Sequence, residues 1–143
     1  MSHLPVNHHL RPLYRTIAAL TGLWLITFGA VGWSQTSRAG WFARGDWSAL
    51  GLPTNRAFAA ASLLAGTVVL VAALVGRNVD RFVNLWGGAG FVVAGTAMMA
   101  LAHTGANVLN FSIVTCIASY VIGLLLLAAG LYGRVATVPA DPR

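Results

Sequence analysis

The sequence predicts an all-α fold: a transmembrane antiparallel four-helix bundle with its N- and C-termini cytoplasmic. Three observations predict it. Of the 143 residues 57% are hydrophobic and only 8% are charged, against about 25% charged in soluble domains. Four apolar runs punctuate the chain, each near the ~20 residues that span ~30 Å of hydrocarbon. The arginines favour the connections on one side of a bilayer. Helices are expected rather than barrel strands, because the runs are long and apolar all round and the backbone must be satisfied within each span. One domain, residues 1–143, accommodates all four.

The first span, 13–33, follows Pro12, which suits a first helical turn. Arg15 near its start can carry its guanidinium to the headgroups. The run exceeds the ~7–15 apolar residues of a signal peptide and no A-x-A site follows, so it reads as an uncleaved helix. The outer loop, 34–56, is the one long connection and carries Trp41 and Trp47 after Trp33. Tryptophan favours the headgroup level, so the loop is expected on the outer membrane surface, partly as a short amphipathic helix or turn. The N-terminal LPVNHHLRPLYR is expected to lie similarly along the inner surface.

The second span, 57–75, joins the third, 82–102, through GRNVDR. So short a link predicts that these two helices are neighbours. Asp80 with Arg77 or Arg81 in that link reads as an exposed ion pair of little weight. The link HTGANVLN predicts a second hairpin with the fourth span, 111–132. Gly76 and Gly133 suit helix C-caps. With the N-terminus inside, Arg11, Arg15, Arg77, Arg81, Arg134 and Arg143 face the cytoplasm and Arg38, Arg44 and Arg56 face outward. That excess orients the chain.

Apolar burial does not drive helix association in lipid, whereas small residues that admit close backbone approach do. Gly22, Gly29 and Gly32 share one face of helix one, and Gly123, Gly130 and Gly133 one face of helix four. The stretches GLWLITFGAVG and GLLLLAAGLYG read alike, but on helices of opposite direction they are not taken as a repeat. Helix two offers Ala57, Ala61 and Ala65, and helix three Gly87, Gly90, Ala94 and Ala97. These faces suit packing within the bundle, or docking to a partner helix.

The best polar cluster combines His103, Thr104, Asn107, Asn110, Ser112 and Thr115 at the outer ends of helices three and four. An imidazole near two amides could bind a polar headgroup, a quinone carbonyl or a metal. A hydrated turn, with Asn110 as an N-cap, explains the same residues. His103, Asn107, Asn110, Trp41 and Trp47 are the candidate ligand or partner contacts. His3, His8 and His9 lack an acidic or cysteine co-ligand and read as a surface tail, not a metal site. Inside the spans, Asn84, Thr96, Ser119 and Tyr120 are the notable polar side chains; Ser and Thr there can bond their own helix.

Other chemistries are disfavoured residue by residue. The basic residues are all arginine and scattered singly, which argues against nucleic acid. The single cysteine, Cys116, cannot form a redox pair. There is no glutamate, and the three aspartates fall outside the spans, so proton-coupled export lacks its carboxylate. No catalytic residues, cofactor or metal are expected. Arginine without lysine, with abundant alanine and glycine, points to a GC-rich genome and a bacterial plasma (inner) membrane.

The segments PVNHHLRPLYR, GLPTNRAF, VGRNVDRFVNLWGG and TGANVLNFSIVTCIASYVIGLLLLAAGLYG together resemble the small four-span bacterial proteins of the domain-of-unknown-function 4383 family. The resemblance runs from Pro5 to Gly133 and implies the same four-span topology, with no catalytic residues to carry over. The expected role is a non-enzymatic accessory or scaffold subunit, or a small homo-oligomer, packing through its Gly/Ala faces. The alternative is a lipid- or small-molecule-binding protein or transporter using the outer polar cluster. Membrane lipids and other membrane subunits, or a second copy, are the expected partners.

Overall fold

A computed structural model describes residues 6–136. Within them the order is α1 (Arg11–Gln35), β1 (Ser48–Ala49), β2 (Leu52–Pro53), α2 (Arg56–Val75), α3 (Val79–Leu101) and α4 (Ile113–Tyr132). All four helices are long and apolar enough to cross a membrane. At 20 to 25 residues they measure roughly 30–38 Å. Pro12 sits in the first turn of α1, where its missing N–H costs nothing.

The long loop, 34–56, takes the turn form of its expectation rather than the helix, and it adds a small antiparallel hairpin, Ser48 opposite Pro53 and Ala49 opposite Leu52. Leu50 (φ 49°) and Gly51 (φ 81°) make its two-residue turn, the left-handed pair that matches strand twist.

Two glycine seams hold the helices together. A Cβ at Gly22 would lie 2.9 Å from the Gly66 carbonyl oxygen and the Leu70 nitrogen, and one at Gly66 would lie 2.7 Å from the Gly22 carbonyl oxygen. Seven residues further along α1, Gly29 meets Ala59 and Leu63, and Gly32 meets Ala59. The contact moves back along α2 as it advances along α1. The second seam repeats the device. Gly123 meets Gly88 and Val92, and Gly130 meets Leu85. In both seams the first glycine faces a glycine, and the second faces the leucine three residues before it. The likeness of the two glycine stretches therefore has a packing cause.

α2 and α3 are in contact, as their short link predicts, but the closest helix pairs are α1–α2 and α3–α4. The long loop joins an intimate pair because the seam, not the link length, sets proximity. On α3 the packing face is also different. Gly87 has only Leu126 near it, at 3.9 Å, Gly90 has nothing within 4 Å, and Ala94 is exposed. The buried face carries Asp80, Asn84, Gly88 and Gly95. A shift of one residue turns a helix by about 100°, so neighbouring glycines serve different faces. On α2, Ala59, Ser62, Gly66 and Val69 are buried, rather than Ala57, Ala61 and Ala65.

The end carrying the chain termini is knit by polar contacts. Asp80 lies in the first turn of α3 and is 3% exposed, where the helix dipole favours a carboxylate. Its partner is Arg11, at 3.4 Å, not Arg77 or Arg81 as expected. Arg11 also donates to the Gly133 carbonyl at 3.2 Å. Arg15 does not reach to headgroups alone: it donates to the Ala73 and Leu74 carbonyls that end α2. Asn78 accepts from the Val135 N–H at 2.8 Å and donates to its carbonyl at 3.0 Å. The Asn7 N–H donates to the Arg134 carbonyl at 2.9 Å, and Tyr14 stacks on Tyr132 at 5.1 Å. The N-terminal segment is thus tied to the end of α4.

Candidate functional site

Aromatic side chains one turn apart start the site. Trp24 and Phe28 stack on α1 with centroids 5.6 Å apart. Phe28 meets Phe58 of α2 at 5.1 Å, and Phe58 meets Phe111 at 4.7 Å. Such bulk on one side of the glycine seams keeps the two helix pairs apart. Between them lies a cavity of about 170 Å³ to which all four helices contribute. Ala61 and Ala65 of α2 and Ala94 of α3 line it. The alanines expected to draw helices together instead leave room.

Leu52, Leu109 and Phe111 close the cavity at the loop end. Hydrogen bonds lock this lid. Asn55, fully buried, caps α2 by accepting from the Phe58 N–H at 2.9 Å and donates to the Val108 carbonyl at 2.7 Å. Asn107 donates to the Ala102 and Phe111 carbonyls and accepts from the Phe111 N–H at 2.8 Å. Asn110 donates to the Gly45 and Thr54 carbonyls, each at 3.1 Å, and Arg44 donates to the Gly105 carbonyl.

The expected polar site is therefore not assembled. Asn107 and Asn110 commit their amides to backbone, and His103 is exposed. Nor is Asn110 an N-cap: Ser112 caps α4, in a box with Thr115. Trp41 and Trp47 lie outside the cavity lining. Trp41 packs edge-on to Trp33 at 5.8 Å, and the Arg56 guanidinium lies 4.6 Å from Trp33 and 5.3 Å from Trp41. A Cβ on Gly45 would lie 2.8 Å from the Trp47 ring. These tryptophans order the lid.

The lining has no ionisable side chain; its polar members are Ser62, Thr115 and Ser119. Ser119 donates across to the Phe91 carbonyl of α3 at 2.8 Å, rather than to its own helix. Tyr120 likewise donates to Thr96 at 3.0 Å. Ser62 is 4% exposed, lines the cavity, and has no hydrogen-bond partner among the described residues. A second apolar recess of about 540 Å³ runs between α1 and α4, past Ile17, Leu20, Val121 and Leu125. Trp24, Ala118 and Ile122 line both spaces.

Sequence reasoning missed this site. The available signal was the i, i+4 pairing of Trp24 with Phe28 and of Phe58 with Ser62, one face of a helix in each case.

Among the described residues no three His, Cys, Asp or Glu side chains converge as metal ligands. His3 lies outside the described residues, while the His8 and His9 rings stack at 4.5 Å. Comparison with protein-family models, curated proteins and solved structures found no match.

Proposed function

We propose that this is a non-enzymatic, multi-pass membrane protein that holds a hydrophobic ligand drawn from the bilayer between its four helices. The cavity carries this reading. Its apolar walls forgo dispersion contacts when nothing fills the roughly 170 Å³ between them, and a hydrophobic guest restores those contacts. The void is not loose packing, because close glycine seams flank it. A lining without acid or base supports binding rather than catalysis.

The bundle is read as antiparallel, which the receding seam registers support. The arginine excess supports cytoplasmic termini. Arginine-only basic usage and the resemblance to the 4383 family support a bacterial plasma membrane. Surrounding lipids are then the partners.

Native mass spectrometry of protein released from mild detergent tests the reading. A hydrophobic adduct is expected on the parent chain. It should be lost from Ala61→Trp and Ala94→Phe, which fill the cavity. Equal adduct on parent and filled variants would sink the proposal.

A second reading, an accessory subunit or homo-oligomer, keeps one observation in its favour. The glycine faces of α1 and α4 are occupied within the chain, but Gly90 of α3 is exposed with nothing within 4 Å of it, room for the close approach of another helix. A stable dimer or complex disrupted by Gly90→Leu would favour it.

A further inference from the structure

Resting on the ligand-binding reading, we infer that the ligand is a neutral lipid with a small, flat, oxygen-bearing head and a long aliphatic tail. The head occupies the cavity against Ser62, and the tail lies in the recess between α1 and α4.

Charge decides first. Neither space is lined by an ionisable side chain. A phosphate or ammonium head placed there would be desolvated without a counter-ion, which is prohibitive. The head is therefore uncharged.

Size and shape decide next. An apolar cavity of about 150 Å³ takes a guest the size of benzene, and this one measures about 170 Å³. Phe28, Phe58, Phe91 and Phe111 stand in its wall, and aromatic side chains pair favourably with a flat unsaturated guest.

The oxygen follows from Ser62. The Thr115 and Ser119 hydroxyls are already engaged in hydrogen bonds, whereas the Ser62 hydroxyl lines the cavity with no hydrogen-bond partner among the described residues. A hydroxyl that faces an apolar cavity without a partner is unfavourable. A carbonyl or hydroxyl on the guest supplies the missing partner; a plain hydrocarbon does not.

The tail follows from continuity. The larger recess shares Trp24, Ala118 and Ile122 with the cavity. Its one hydroxyl, on Thr21, is satisfied by the Ile17 carbonyl at 2.8 Å, so the recess asks for nothing but carbon. From Trp24 to Ile17 it runs about 10 Å along α1, away from the lid. A guest with its head under the lid trails its tail toward the other end of the helices. Trp24 stands at the junction.

The test uses the full chain in phosphatidylcholine nanodiscs and three probes: a decyl-substituted benzoquinone, decylbenzene, and phosphatidylglycerol. Binding is read by tryptophan quenching for the quinone and by its displacement for the other two. The quinone is expected to bind, and decylbenzene to bind about tenfold more weakly. Ser62→Ala should weaken the quinone about tenfold and leave decylbenzene unchanged. Ala118→Trp, which plugs the junction, should weaken both, and Trp24→Phe should remove most of the quenching. Equal affinity for quinone and decylbenzene, unaffected by Ser62→Ala, would overturn the inference while leaving the ligand-binding reading intact. So would displacement of the quinone by phosphatidylglycerol. If no probe binds and no adduct accompanies the purified protein, the ligand-binding reading falls with it.

Discussion

Replacing Gly66 by alanine probes the packing of α1 on α2 at its closest point. The new methyl carbon would sit 2.7 Å from the Gly22 carbonyl oxygen and 2.8 Å from the Ile26 nitrogen. Both are backbone atoms, so no side chain can rotate away. Ordinary contact lies near 3.5–4.0 Å, and the helices must therefore part by several tenths of an ångström or more. A gap of 0.5–1 Å forfeits a quarter to a half of each dispersion contact along a seam, and overpacking of this kind costs about 1–3 kcal/mol. Alanine also favours helix over glycine by up to about 1 kcal/mol, which opposes the loss. Gly90→Ala supplies the control: it gains the same propensity with nothing within 4 Å to strike. The difference between the two variants isolates the packing term. Unfolding by sodium dodecyl sulfate in mixed micelles, followed by circular dichroism, should place Gly66→Ala about 1–3 kcal/mol below Gly90→Ala. Equal stability would refute the seam.

Other outcomes follow from the same contacts. Asn55→Ala removes the α2 cap and the donor to Val108; a loss of about 1–2 kcal/mol and faster protease cleavage in 36–54 are expected. Arg11→Ala strands the buried Asp80 carboxylate and should cost about 3 kcal/mol in the same titration. Asp80→Ala should cost less, because Arg11 is 24% exposed and can hydrate. In a Cys116→Ala background, Gly105→Cys and Arg134→Cys should react with membrane-impermeant maleimide from opposite sides of the membrane; labelling from the same side would contradict the four-span topology.

Helix number and approximate limits were legible because the hydrocarbon thickness demands long runs without charge, a property of composition along the chain. The glycines of α1 and α4 were legible too, since spacings of seven return to one face. The corresponding face of α3 was not. Glycines at 87, 88, 90 and 95 satisfy several periodicities at once, and only the approach of α4 selects Gly88. Asp80 looked like a loop residue because α3 begins three residues before the apolar run, and its partner Arg11 is 69 residues away in the chain.

The polar cluster shows the same division. Proximity in sequence brought His103, Asn107 and Asn110 together on paper, but an amide is drawn to the nearest unpaired backbone. Asn107 finds it at Ala102 and Phe111, and Asn110 finds it at Gly45 and Thr54, across the lid. The cavity is the product of contacts between distant segments: two seams that close, and aromatic rings from three elements that keep the same helices from closing elsewhere. Local sequence determined that this chain makes four membrane-length helices with glycine-notched faces, because length, charge and period act within one segment. Only the tertiary structure decided which notches mate and where space remains, because mating is a relation between surfaces and a void belongs to no single helix.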